Sequence, residues 1–563
     1  MGPWLPYMLW LLLGVHYSRL PSRPLFLLIA VVSLLPFTGY LLGVFAKRRR
    51  SAVATLGYET NAFADYMTLE SRRSPAPFSD GEANNLDSNC KYPLMYNDDG
   101  HWVTIKDLLQ CDRLPVRNCA MEARDIFLSY SLCRLLARRY YGFHCAEEGN
   151  AEIRQLMVKQ LLHDHKRAFT IVDVQLAFLH DHFFTSYPMY TKYTRYPYPS
   201  SAKEAILPAL LASESPVALF FLRPVVPKYW PPIRFAFLHY SRATERVFRP
   251  LIWRHIHNVD NHSWNWTQQQ PYWRNKIGQY SLIQDYDRRS TKRSFVSWIK
   301  NFMLSQVSYS FIKHHPVSEE DVRVPDIVRE LVARSLQSIG GPPTNGSCCL
   351  KRNKNIDFDD WAWTLRQETH THTILIWHIA TCYCEMFPLA GASTCDDDDL
   401  LKKSHEVATA LSRYCAYLVA FHPELLPEHS LNTITLLQQV LKEAKDLLGS
   451  TRSSMEKNDK IQGLQLPGDE GDSSLNTFQK GIKLGRRLAD MLNSVRWKVM
   501  AEFWAETVLY VAPSDDVDSS AARIECLTKG GEFVTHIWAM LSNAGILKRA
   551  TEEWSPRQSE PDS

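Results

Sequence analysis

Four histidine pairs are the residues whose type and spacing first suggest chemistry, metal binding above all: His163–His165, His180–His182, His255–His257 and His370–His372. Alternate spacing puts both rings on one side of a strand. On a helix, positions i and i+2 point about 200° apart and cannot easily share an ion. All four pairs sit in helix-like or irregular stretches, so surface or core histidines are expected. His378 and Cys382 are better placed, at i and i+4 of ILIWHIATCYC (Ile374–Cys384). A closed zinc site would still need two more ligands. Cys384 points about 200° from Cys382 on the same helix. His378, Cys382 and Cys384 are therefore read as structural, and neither a metal nor a cofactor is expected.

Other candidates carry less. Asp396–Asp399 is a run of carboxylates, whereas a calcium loop alternates its ligands and turns on a glycine. The run is expected to lead into the next helix, where acids suit the positive N-terminal end. Asn-x-Ser/Thr sites occur at Asn261, Asn265 and Asn345, and matter only in a lumenal segment. No G-x-S-x-G, phosphate-binding loop, H-E-x-x-H or dinucleotide fingerprint is present. No residue can be named as catalytic.

The elements that must position these side chains read as helices. Apolar residues fall at helical spacing in Glu122–Tyr141, Ile153–Leu162 and Thr170–Phe184. Trp264–Gln284 and Lys292–Phe311 are expected helices too. In Leu431–Leu448 a stripe runs through Ile434, Leu437, Val440, Leu441, Ala444 and Leu448. In Phe478–Val495 it runs through Phe478, Ile482, Gly485, Leu488, Ala489, Leu492 and Val495. Ser71–Asp99 reads as a loop, Gly449–Ser474 as a flexible connection and 338–357 as a linker rich in Gly, Pro and basic residues. The expected order is a membrane segment (1–50), a mostly helical region (51–337), the linker, one all-α C-terminal domain (358–549) and a disordered tail (550–563).

Composition agrees with a globular chain. Of 563 residues, 45% are hydrophobic and 22% charged. Mean hydropathy is -0.27, so membrane helices can be only a minor share. The net charge of +4 comes from interspersed charges, which is no footprint for nucleic acid. The 12 cysteines contain no C-x-x-C pair, and a core of this size needs no staples, so reduced thiols are expected.

The N-terminal region is where a membrane enters. Leu25–Phe45 is uncharged and is followed by the basic cluster Lys47–Arg50. About 20 apolar residues span the hydrocarbon core as a helix, and the basic flank favours the cytosolic side. Trp4–Tyr17 is shorter and contains Pro6; if it inserts as well, the two form a hairpin. Met1–Trp10 carries no basic residue and no A-x-A-like site follows, so a cleaved signal is not expected. Ile233–Ile256 holds Arg234, Arg242, Glu245, Arg246, Arg249 and Arg254, too many charges to span. The fold class is thus all-α, with a membrane helix or helical hairpin ahead of a large cytosolic helical region. The lipid bilayer is the expected partner.

Four aromatic-rich blocks carry a resemblance: WRNKIGQYSL (Trp273–Leu282), ILIWHIATCYC, ALSRYCAYLVAFHPELLP (Ala410–Pro427) and GGEFVTHIWAMLSNAGI (Gly530–Ile546). WKVMAEFWAETVLYVA (Trp497–Ala512) fits the helix before the last block. The chain resembles plant multi-pass membrane proteins that combine an N-terminal domain of unknown function, 4220, with a C-terminal one, 594. Two departures stand out. The chain is expected to open partway through the N-terminal domain, and Arg234–Arg254 is heavily charged. The resemblance implies a membrane location and a plant source, and supplies no catalytic residues. The leading reading is an integral membrane protein with a non-enzymatic interaction or structural role. A membrane-anchored enzyme of unrecognised type and a channel or transporter subunit are the alternatives.

Overall fold

The computed structural model describes residues 92–96, 101–109, 123–140, 161–184, 275–285, 322–339, 341–354, 356–387, 395–449, 454–466, 475–513, 517–527 and 531–550, with 65, 66, 148, 154, 158 and 233. The chain divides into two compact units, Met1–Phe63 and Ala64–Ser563, and every described residue belongs to the second. The expected membrane segment Leu25–Phe45, the helix Lys292–Phe311, His255, His257, Asn261, Asn265 and the tail 551–563 lie outside the described residues, as does most of Ile153–Leu162.

In chain order, β1 (Pro93–Tyr96) and β2 (Trp102–Thr104) pair antiparallel and lead into α1 (Ile105–Leu109). Next come α2 (Ala123–Tyr140) and α3 (His165–Phe184). β3 (Lys276–Ile277), α4 (Leu282–Asp285) and β4 (Val322–Arg323) follow, with β3 and β4 paired antiparallel. The remainder is helical: α5 (Asp326–Ser338), α6 (Ser347–Arg352), α7 (Phe358–Trp361), α8 (His370–Cys384), α9 (Cys395–Phe421) and α10 (Ser430–Leu448). The last five are α11 (Ser454–Gly463), α12 (Thr477–Ala489), α13 (Asn493–Val511), α14 (Val517–Leu527) and α15 (Phe533–Asn543). The described residues are therefore mostly helical with two small strand pairs. Among them no helix is long and apolar enough to cross a membrane.

α8 is the hub. Every residue in it except His370 and His372 is buried, because it is apolar on all sides. α12 packs along it at close range through Gly481 and Gly485, one turn apart. A Cβ on Gly481 would lie 2.6 Å from Ile379, and one on Gly485 would lie 2.7 Å from Tyr383. On another side Trp377 stacks on Phe503 of α13, with ring centroids 3.7 Å apart at 14°. Trp504 Nε1 donates to Thr381 Oγ1 at 3.1 Å. The acidic run Asp396–Asp399 lies in the first turn of α9, where the sequence placed it.

Several sequence expectations change for physical reasons. Residues 275–281, expected inside a helix, are largely extended, and the segment is tied to its neighbours by its backbone: Tyr280 N–H donates to Arg413 O of α9 at 3.2 Å, and the next bond, from Leu282 N–H, goes to His378 of α8. Gly278 is required there, since a Cβ would sit 2.3 Å from the Tyr417 ring. The single stripe Phe478–Val495 is two helices that turn at Asp490–Leu492, leaving Leu492 76% exposed. The connection 449–474 contains α11, which buries Ile461 and sends Lys457 Nζ to Gln284 O at 3.0 Å. β1 occupies part of the expected loop 71–99.

The expected linker 338–357 holds α6, which buries Cys349 and Leu350 and takes its capping acceptor from Glu506 of α13. Its glycine serves the cap itself: Gly346 precedes the helix at φ +98, the left-handed region.

The region 358–549 likewise shares its core with the chain before it. His536 Nε2 of α15 lies 2.7 Å from Asp173 Oδ1 of α3. Gln175 and Asn543 exchange side-chain bonds at 3.0 and 2.8 Å, and Phe169 stacks on Phe533.

Candidate functional site

The chemistry-bearing side chains of α8 meet those of α9 and of the extended segment before α4. His378 is fully buried. Leu282 N–H donates to its Nε2 at 3.2 Å, so Nε2 is the acceptor and Nδ1 holds the proton, donated to Ser412 Oγ at 2.9 Å. Burial, followed by the nearby Arg413, pushes the imidazole down to about 3, so the ring is neutral. Cys382 Sγ lies 3.7 Å from Nε2 and 3.8 Å from Ser281 Oγ. Burial, then Glu385, pushes its thiol up to about 12.

A nucleophilic cysteine acts as a thiolate, and this environment holds the thiol protonated beside a neutral imidazole. What the cluster does chemically is give both His378 ring nitrogens, the Leu282 amide, the Ser412 hydroxyl and the Cys382 thiol partners where α8, α9 and the 275–282 segment meet. Cys384, on another side of α8, donates to Gly485 O at 3.6 Å, and burial likewise pushes it up to about 12. His378 and Cys382 are thus brought together, while Cys384 faces α12.

Among the described residues the histidine pairs do not converge. His370 packs its ring against Tyr510 at 4.5 Å, whereas His372 Nδ1 meets Thr369 Oγ1 at 2.8 Å. His180 lies near Asp181, and His182 packs edge-on to Phe183. His163 is exposed. Among the described residues, no group of three or more His, Cys, Asp or Glu side chains is placed to hold a metal ion. Cys133, Cys348, Cys349, Cys382, Cys384 and Cys415 are free thiols.

One functional-looking carboxylate escaped the sequence reading. Glu506 is 2% exposed in the middle of α13. It accepts from Cys348 N at 3.2 Å, from Cys349 N at 2.8 Å and from the Thr344 hydroxyl. Burial pushes it up to about 7, against the backbone N–H groups that favour its charged form. The signal available in the sequence was a Glu inside the apolar run Phe503–Ala512. Three further charged residues also close helix ends. Glu428 accepts from His370 N at 2.6 Å and Thr371 N at 3.2 Å. Glu443 accepts from Phe478 N at 3.1 Å. Arg523, 1% exposed, donates to the carbonyls of Val511, Ala512 and Pro513 at the end of α13.

This geometry can be set beside known proteins. The domain of unknown function DUF4220 matches residues 7–227, and the protein of unknown function DUF594 matches residues 491–546. The chain combines DUF4220 with DUF594. No curated protein and no solved structure matches it. The DUF594 stretch takes in α13, α14 and α15, and the DUF4220 stretch takes in α2 and α3. The bonds of His536 to Asp173 and of Asn543 to Gln175 therefore join the two matched regions directly. The His378 cluster lies between the two matches in sequence.

Proposed function

We propose that this DUF4220–DUF594 protein is an integral membrane protein whose helical body acts as an interaction scaffold, with its bulk on the cytosolic side. The carrying observation is Leu25–Phe45, long enough to span the bilayer, uncharged, and followed by Lys47–Arg50. The likeness to plant multi-pass membrane proteins supports the same reading. The non-enzymatic part rests on the state of the reactive groups. His378 is held neutral, and Cys382, Cys384 and Cys415 are held as thiols by burial. An enzyme needs titratable groups converging on a concave site that substrate can enter.

Carbonate extraction of membranes carrying the full chain tests the anchor. The expected result is retention in the pellet; release into the supernatant overturns the reading. Protease protection of sealed vesicles then tests the side: digestion of the region after Arg50 from the cytosolic face is expected.

A further inference from the structure

α12 and α13 turn into each other at Asp490–Leu492, and the corner holds a cavity of about 520 Å³. Arg486 and Asp490 line it from one side, Asn493 and Arg496 from another, with the Tyr383 and Phe387 rings between. Arg496 is 3% exposed. Its Nη1 donates to Ala489 O at 3.2 Å, its Nη2 donates to the Asn493 side-chain oxygen, and its Nε has no partner. Arg486 donates to the carbonyl oxygens of Gln462, at 3.3 Å, and Leu464.

The oxygens that these two guanidinium groups meet among the described residues are backbone carbonyls and the Asn493 side-chain amide, not carboxylates. No side chain caps the N-terminus of α13, which opens on the same wall. That end of a helix is electropositive. The opposing charge at the cavity is Asp490, which is exposed.

An uncompensated buried charge is strongly unfavourable, and an idle Nε–H is a donor awaiting an acceptor. A small oxyanion answers both. Two guanidinium groups from different helices and the first turn of a third donor set, α13, suit a tetrahedral anion with several oxygens better than a planar carboxylate. A volume of this size lies in the range of small-ligand sites. We propose that this corner binds a terminal phosphate group, held by Arg486, Arg496 and the first turn of α13. The group can come as a free phosphate or as the headgroup of phosphatidic acid, and the chemistry is the same.

The test uses the purified full chain in neutral detergent micelles. Inorganic phosphate and, separately, dioctanoyl phosphatidic acid are titrated by calorimetry into wild type, Arg486→Gln and Asp490→Asn. Wild type is expected to bind at least one of them. Tighter binding of the phosphatidic acid assigns a lipid headgroup, and equal or tighter binding of inorganic phosphate assigns a free phosphate. Arg486→Gln should weaken binding by about tenfold or more, the loss of a charge-assisted pair. Asp490→Asn, at an exposed position where folding is not at stake, should tighten it by roughly threefold or more. The proposal is overturned if wild type binds neither titrant at millimolar concentration. It is overturned equally if Asp490→Asn binds no tighter than wild type.

Discussion

α8 and α13 are both buried along most of their length, yet their N-termini are finished in opposite ways. The start of α8 is closed from inside the protein: Glu428 accepts from the first two amides, His370 and Thr371, and Thr369 accepts from His372 N. The polar side chain within it, His378, has a partner on each ring nitrogen. The start of α13 has no side-chain cap, and Arg496 beside it leaves Nε unpartnered. The comparison separates two uses of buried polarity. A fully satisfied group specifies packing. An incompletely satisfied one at a cavity wall is a place where a ligand completes the structure.

The largest effect should come from the hub. Trp377→Ala removes the ring stacked on Phe503 and opens a cavity where α8 meets α13. Large-to-small changes of this kind cost about 3–5 kcal/mol. Chemical unfolding of the full chain would measure it. A cost under about 1 kcal/mol would show that α8 does not organise the core.

The next effect depends on pH. The folded state holds a proton on Glu506 up to about 7, against an ordinary 4.5. Its contribution is therefore present in full below pH 4.5 and lost as pH rises through 7, about 3 kcal/mol across that window. His378 runs the other way. Its folded value of about 3, against an ordinary 6.5, keeps its contribution above pH 6.5 and loses it as pH falls toward 3. Measured from pH 4 to 8, the stability of wild type relative to Glu506→Gln should fall with rising pH, while the His378 contribution is common to both. Parallel curves would show that Glu506 does not titrate in this way.

His378→Ala should cost about 0.5–3 kcal/mol, as core truncations do, and strand the Leu282 amide and Ser412 hydroxyl. Elemental analysis of the purified full chain should show the same metal content before and after the change. Stoichiometric zinc lost with His378 would turn α8 from a packing hub into a metal site and erase the contrast with α13.

What was readable in the sequence follows from range. The stripes of α10 and α12 are local, so Leu437, Val440, Ala444, Ile482 and Leu488 are buried as their spacing required. The i, i+4 pairing of His378 with Cys382 is also local. Their decisive partners, Ser412 and the Leu282 amide, come from other elements and leave no periodic trace. Glu506 needed the fold to bring α6 to it, and Arg496 reads as one more surface arginine until α12 turns away at Asp490. The extended path of residues 275–281 was hidden for the same reason, since its backbone partner Arg413 lies on α9.

Leu492 gives the smallest effect and the sharpest separation of the two ways of reading this corner. A continuous helix through Phe478–Val495 puts Leu492 on the buried stripe with Leu488 and Val495. Leu492→Ser would then cost about 2–5 kcal/mol, as loss of a buried aliphatic side chain does. In the structure α12 ends at Ala489, Asp490 N–H bonds back to Arg486 O at 3.1 Å, and α13 restarts at Asn493. Leu492 stands at the turn, 76% exposed, with its φ and ψ of -54° and 137° outside the helix. A surface substitution there should change stability by less than about 0.5 kcal/mol. Serine at that position also offers the side-chain cap that α13 lacks, and good N-caps stabilise helices by about 1 kcal/mol. Leu492→Ser is therefore expected to be neutral or slightly stabilising in chemical unfolding of the full chain. A loss of 2 kcal/mol or more would restore the single helix and remove the corner on which the phosphate site depends.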